Sequence, residues 1–272
     1  MNLYKFADQT ISSDLFLESM SKHIQKGSVL YVEFDLMTFG KIYEPLMSKS
    51  DFLTEIWSLL KKVVGPDGLV VSSTFSYSWG SSNPEKIFDV LKTRSQVGTM
   101  SEFLRQNQTK LNIIRTEDPM FSVVVSGQGQ NEFAQVGNSS FGEKSIYEKM
   151  LERNAYLVTF GLNRYDPTFV HFVEQFFSEK ISPYPHRSLV EFSGDLINKD
   201  GEKSSGKHYS FMRSIGGTYK FSDKKLVTAL KEENLMSSLK IGGGMIHISD
   251  CQSVFKVGME GLSKDASFFV EV

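Results

Sequence analysis

The alternation of apolar and polar residues divides the chain into helical and extended stretches in a regular order. Leu15, Phe16, Met20 and Ile24 recur near helical spacing, and Ser12 or Ser13 can cap the start, so a helix over Ser12–Ile24 opens the fold. Ser28–Phe34 (SVLYVEF) is short, apolar and rich in β-branched and aromatic residues, which predicts a buried strand. Asp51–Val64 sets Phe52, Ile56, Leu59, Leu60 and Val63 on one helical face. Gly65-Pro66-Asp67-Gly68 ends that helix, and a second strand, Leu69–Ser73, follows at once. Strand, helix, turn, strand is the order of a right-handed parallel crossover. The expected fold class is therefore α/β, with a mixed, largely parallel central sheet flanked by helices.

The same patterning predicts a helix over Gly98–Gln106, a strand over Phe121–Ser126, a helix over Lys144–Glu152 and a strand over Ala155–Phe160. Asp166–Ser178 reads as a further helix, with Asp166 supplying the cap and Pro167 in the first turn, where its missing donor does no harm. From Ser188 onward, strand-like and helical segments alternate around Asn198-Lys199-Asp200-Gly201, a hairpin turn, and Gly242-Gly243-Gly244. The glycine triplet lacks the spacing of a phosphate cradle and reads as a turn. Residues 1–272 form one α/β domain in this reading, with 188–272 as a C-terminal α+β elaboration.

Composition narrows the function. A chain of 272 residues with 40% hydrophobic and 23% charged residues has enough apolar material for a sizeable core. A net charge of −2 and the lack of a basic stripe exclude nucleic acid as a partner, and Lys61-Lys62 and Lys224-Lys225 read as solvated faces. The single cysteine, Cys251, has no internal partner and reads as a buried small hydrophobe, and no cysteine or histidine spacing suits a metal. Met1–Gln25 lacks the pattern of a secretory signal, and no stretch reaches the ~20 apolar residues of a membrane span, so the expected location is the cytoplasm, off the membrane.

Chemistry concentrates on the Asp166 helix. Phe169, Val170, Val173, Phe176 and Phe177 form its apolar side, while His171, Glu174, Gln175 and Ser178 share the opposite stripe. Residues three apart on a helix touch, so Glu174 can orient the imidazole of His171 and raise its basicity. That is a general base with its support. Ligands of open α/β sheets bind beyond the carboxyl ends of strands, and this helix starts just after one. A stripe of this kind taken alone is more often a solvated face. His23, His186, His208 and His247 are scattered singly.

The segment Gly161-Leu162-Asn163-Arg164-Tyr165-Asp166-Pro167-Thr168-Phe169-Val170-His171-Phe172-Val173-Glu174 resembles the glycine loop and D-x-x-x-x-H-x-x-E-like helix of the aminoglycoside 3-N-acetyltransferase family. Gly65-Pro66-Asp67-Gly68-Leu69-Val70-Val71 with Ser73-Thr74-Phe75-Ser76-Tyr77 is similar to that family's GPxGTLVMPTFTY stretch. Phe88-Asp89 with Gly98-Thr99-Met100-Ser101-Glu102-Phe103-Leu104-Arg105 resembles its FDP…GxLxExFR. Arg115-Thr116-Glu117-Asp118-Pro119-Met120-Phe121-Ser122 resembles RSxHPxxS, and Phe141-Gly142-Glu143-Lys144-Ser145 resembles FGxxSP. Phe192-Ser193-Gly194 and Tyr209-Ser210-Phe211-Met212-Arg213 match more loosely. The pieces keep the family's order over nearly the whole chain.

The resemblance implies that family's fold and an acyl-CoA dependent N-acyltransferase, with acetyl-CoA or another acyl-CoA as co-substrate and no metal. His171 would deprotonate the acceptor amine and Glu174 would orient it; direct transfer needs only a base and a few donors for the oxyanion. Asp35, Leu36, Thr74, Phe75, Ser145 and Gly161 would face the donor, and Glu102, Asp118, Asp166 and Arg213 the acceptor. The partners are thus an amino-sugar acceptor and acyl-CoA, and a homodimer is compatible with them. Val32-Glu33-Phe34-Asp35-Leu36 stands where the family usually has V-H-[ST]-S-L, and Asp118 where a histidine is usual. Asp35 would repel the phosphates of coenzyme A unless a cation intervened. An alternative reading is a non-catalytic binding protein that has lost coenzyme A. Two acceptors fit the enzyme reading. An aminoglycoside antibiotic, as in antibiotic resistance, calls for carboxylates, for which Glu102, Asp118 and Glu174 are candidates. A nucleotide-linked amino sugar for polysaccharide biosynthesis calls for cations, for which Arg94, Arg115, Arg164 and Arg187 are candidates.

Overall fold

A strand hairpin, not the expected helix, opens the fold, and the helix follows it. The computed structural model describes residues 1–43, 48–80, 82–213 and 219–271. A hairpin of β1 (Asn2–Phe6) and β2 (Gln9–Ser12) leads into α1 (Ser13–Ser21), whose first turn is closed by the Ser12 side chain accepting from the Leu15 amide. After β3 (Val29–Phe34) and the short β4 (Lys41–Ile42), α2 (Lys49–Val64) is capped by Ser48 and left through Gly65 at φ +75. The next strand, β5 (Leu69–Ser73), pairs with β3 in parallel from Val29↔Leu69 to Val32↔Ser72, which is the predicted crossover.

The middle of the chain runs through β6 (Ile87–Asp89), α3 (Thr99–Gln106), α4 (Gln108–Leu111), β7 (Ile114–Arg115), β8 (Val123–Gly127) and α5 (Gln130–Phe133). It continues with α6 (Ile146–Glu152), β9 (Tyr156–Phe160) and α7 (Val170–Lys180). The C-terminal part contains β10 (Arg187–Ile197), β11 (Lys203–Arg213), β12 (Lys220–Phe221), α8 (Lys224–Glu232), β13 (Ser237–Ile241), β14 (Gly244–Asp250), α9 (Cys251–Lys264) and β15 (Val270–Glu271).

The central sheet has the order β13-β14-β9-β3-β5-β8-β7. It is mixed, as expected, but its parallel part is narrower than expected, being confined to β9-β3-β5. The chain leaves β5 and returns to β8 at the same end of the sheet, where the Thr74 amide donates to the Ser122 carbonyl at 2.8 Å, so β8 must run antiparallel. Strand alternation then builds a core on each face. Leu30 and Val32 pack with Phe16, Trp57 and Leu60 under α1 and α2. Val29 and Tyr31 pack with Tyr147, Leu157, Phe169 and Val173 under α6 and α7.

Residues 188–272 do more than decorate this sheet. β14 pairs with β9 and carries β13 at the edge, across a turn in which Gly242 takes φ +54. β10 and β11 form a long hairpin, in register from Arg187↔Arg213 to Ile197↔Lys203 and closed by the turn at Asn198–Gly201. α7 departs from the sequence reading at its start. It begins at Val170, with Phe169 at the cap and no side-chain cap bond. Asp166 is drawn instead to Arg164 at 2.8 Å and Thr168 to Glu33, which holds the preceding residues out of the helix. Among the described residues no helix is long and apolar enough to cross a membrane.

Candidate active site

The first turn of α7 meets the start of β10 at a buried cluster of charge. His171 donates from Nδ1 to Oε2 of Glu174 at 2.7 Å, the contact expected of residues three apart. Glu174 is only 1% exposed, so the polar stripe is not a solvated face. Its carboxylate also accepts from the Tyr184 hydroxyl at 2.9 Å and from Nε of Arg187 at 2.9 Å. Arg187 further donates from Nη2 to Nε2 of His171 at 3.1 Å and from Nη1 to the Phe211 carbonyl at 3.1 Å. Burial pushes the His171 pKa below its ordinary value, the Arg187 charge lowers it further, and Glu174 opposes both. Burial alone would raise Glu174, but His171 and Arg187 hold it below the usual carboxylate range.

A second polar group closes the end of β3. Glu33 accepts from the Tyr31 hydroxyl at 2.8 Å and from both the hydroxyl and the amide of Thr168, while burial raises its pKa. The Tyr31 hydroxyl is also bonded to Ser73 Oγ at 2.6 Å, which ties the ends of β3 and β5 to the segment before α7.

His171 opens onto a cavity of about 420 Å³ lined by Arg164, Asp166, Thr168, Val170, His171, Arg187, Arg213, Lys220 and Phe221. Three residues expected in the site, His171, Asp166 and Arg213, are brought together here. Burial raises the pKa of Asp166 to about 6 against the pull of Arg164. The sequence profile of the aminoglycoside 3-N-acetyltransferase family matches residues 49–263, most of the chain and all of this site but Tyr31 and Glu33.

The chain belongs to the aminoglycoside 3-N-acetyltransferase family.

No curated protein matches it closely enough to add a relative. Solved structures share its fold. A sisomicin-bound AAC-VIa is 15% identical, with a TM-score of 0.73, over 93% of this chain and 98% of the other. An AAC-IIIb binary complex with CoASH is 18% identical, with a TM-score of 0.71, over 93% and 97%. The YokD protein from Bacillus subtilis is 16% identical, with a TM-score of 0.66, over 92% and 94%.

Within this family member the remaining expected residues lie apart from His171. Asp35 and Leu36 line a separate cavity of about 330 Å³ with Phe34, Phe52, Leu53, Gly98 and Thr99, beside the start of α3, which has no side-chain cap. Gly161 abuts that wall from β9, with φ +93 and its amide on the Met245 carbonyl at 2.8 Å. The end of β3 therefore stands between the two cavities: Glu33 bonds to Thr168 of one, and Phe34 and Asp35 face the other.

Several candidates are committed to the interior. Thr74 is buried and donates to the Ser122 carbonyl at 3.1 Å, and Phe75 packs edge-on against Phe121 with ring centres 5.1 Å apart. Ser145 caps α6 by accepting from the Glu148 amide at 3.2 Å. Asp118 is buried against Nε2 of His208 at 3.1 Å and accepts from the Met120 and Phe121 amides. Glu102 is spent on Arg105 at 2.7 Å and on the Ser95 amide at 2.9 Å. Arg115 is buried, donating to Ser122 and to the carbonyls of Thr74 and Thr93. Tyr184 and Lys220 carried no local signal, because the loop before β10 and the strand after β11 reach the site only through the tertiary fold.

Proposed function

We propose that the protein is an acyl-CoA dependent N-acyltransferase, moving an acetyl group from acetyl-CoA to the amine of an amino sugar with His171 as general base. The observation that carries this reading is the His171–Glu174 contact at 2.7 Å, on the segment that matches the family's histidine motif. With Nδ1–H held on Glu174, the lone pair of the neutral imidazole lies at Nε2, on the cavity side. An amine entering the cavity would displace the Arg187 donor from Nε2 and hand its own proton to that atom as nitrogen attacks the thioester carbon. The C–S bond breaks as the amide forms, and His171 returns the proton to the departing sulfur, so no covalent enzyme intermediate is needed.

The donor fits the apolar cavity beyond β3. Phe34, Leu36, Phe52 and Leu53 would cover an uncharged pantetheine arm, and the free amides opening α3 would face phosphate. Asp35 opposes phosphate there, and Lys49, which lines the same cavity, supplies an offsetting charge. The names of the structural neighbours favour an aminoglycoside as acceptor. Thiol release from acetyl-CoA, followed colorimetrically against panels of aminoglycosides and amino sugars, tests the reading. Turnover that disappears in His171→Ala supports it, and failure of coenzyme A to bind would leave the non-catalytic alternative in its place.

A further inference from the structure

We infer that the cavity beside His171 selects an acceptor whose amine lies near a phosphate group, held by Arg213 and Lys220. The inference rests on the acyl-transfer reading, because it assumes that the amine approaches Nε2 of His171. Four cations line this cavity, Arg164, Arg187, Arg213 and Lys220, and Asp166 is the carboxylate among its lining residues. Arg164 is spent on Asp166 at 2.8 Å and Arg187 on Glu174 at 2.9 Å. Arg213 and Lys220 form no ion pair among the described residues.

The register of the hairpin sharpens this imbalance. Arg187 and Arg213 are directly opposed across β10 and β11, and like charges in that relation destabilise a strand pair. The exposed Arg213 also has its guanidinium over the Tyr219 ring, 5.6 Å from its centre, a contact that favours one placement of the charge. An anion at the cavity mouth relieves the repulsion, and the planar fork of arginine suits phosphate oxygens. A polycationic acceptor, the kind the neighbours' names favour, would instead meet Arg213, Lys220, whose cross-strand neighbour Glu271 is ion-paired to Lys224, and one carboxylate already engaged by Arg164.

The phosphates of coenzyme A share this chemistry. We assign the cations to the acceptor because the base opens on this cavity, while a separate apolar cavity lies beyond Phe34 and Asp35 for the donor arm.

The experiment compares glucosamine with glucosamine 6-phosphate as acceptors, with acetyl-CoA held fixed, in wild type, Arg213→Gln and Lys220→Gln. The expected result is a kcat/KM for the phosphate ester about tenfold or more above that of its parent, with the ratio falling by about tenfold in either variant. Equal ratios in all three proteins overturn the inference. So does a loss of coenzyme A affinity in Arg213→Gln, measured by calorimetry, since it hands the cations to the donor. Inorganic pyrophosphate titrated into each protein gives an arm that needs neither turnover nor a chosen acceptor. Binding to wild type that is lost in both variants supports the anion site even if no amine is acylated, the result that defeats the acyl-transfer reading alone. No binding to wild type overturns the inference whatever the enzyme does.

Discussion

Nη2 of Arg187 lies 3.1 Å from Nε2 of His171, so the atom that would take the acceptor proton is already hydrogen-bonded by a cation. Burial and that cation hold His171 neutral to a pH below its ordinary titration range, with Glu174, bonded at Nδ1, opposing them and the more distant Arg213 adding to them. A base works only when deprotonated, so activity is lost as the pH falls through the His171 pKa. We expect the acid limb of kcat/KM to lie below the ordinary histidine value of about 6.5 and to move up in Arg187→Gln. A pH profile beside an NMR titration of the imidazole checks this; a wild-type limb at or above 6.5 would contradict it.

His171→Ala should fold and lose about 10²- to 10⁴-fold in turnover, the usual contribution of a general base. Glu174→Gln should lose less activity per folded molecule, because an amide oxygen still orients Nδ1–H. It should also destabilise the fold by about 1–3 kcal/mol, since the nearly buried Arg187 loses its counter-charge. Thiol release and urea denaturation separate the two effects. Equal activity losses in both variants would make Glu174 more than an orienting group.

Much of the parallel core was legible because its signals are local. Leu69–Ser73 is bounded as the pattern predicts, and Ser12 caps α1. His171 and Glu174 were found because their contact spans one helical turn. What the pattern misjudged was environment: Glu174 reads as a solvated residue until the β10–β11 hairpin brings Arg187 over it. Asp118 and Glu102 read as carboxylates free for a substrate, yet each is consumed by a partner, one distant in sequence and one on its own helix. Asp166 reads as a cap because no local pattern reveals that Glu33, on another strand, takes Thr168 out of the helix. Tertiary contacts decided these cases, and periodicity does not carry them.

Asp118 makes a clear case for stability rather than recognition. Burial would raise its pKa, but the charge and hydrogen bond of His208, with the Met120 and Phe121 amides, hold it below the usual range. Its contribution is thus present above the unfolded carboxylate pKa and is lost as the pH falls through the lowered folded value. Asp118→Ala leaves two buried amides without their acceptor and His208 without its counter-charge, with Ser140 Oγ at 2.9 Å still on Nε2, and we expect a loss of about 3–5 kcal/mol in urea unfolding at neutral pH. The double variant with His208→Ala should cost less than the two single losses added. Full additivity would show that the 3.1 Å contact carries no coupling.

Gly161 links the fold to the wall between the two cavities. Its φ of +93 is strained for any L side chain, and a Cβ there would stand 1.9 Å from the Asp35 carbonyl oxygen and 2.8 Å from Thr38 Oγ1. The Thr38 hydroxyl donates to the Gly161 carbonyl at 2.7 Å, and the Asp35 amide donates to the Phe160 carbonyl at 2.9 Å, so the loop after β3 is fastened to the end of β9 with no spare room. Alanine at this position must push Asp35 away from β9. We expect Gly161→Ala to lose about 2 kcal/mol or more of stability, from backbone strain of about 1–3 kcal/mol and the broken loop contacts. Because Asp35 and Leu36 face the apolar cavity while His171 faces the other, the KM for acetyl-CoA should rise more than the KM for the acceptor. Denaturation and initial-rate kinetics on the one variant measure both. A larger rise for the acceptor would place the donor on the His171 side of β3.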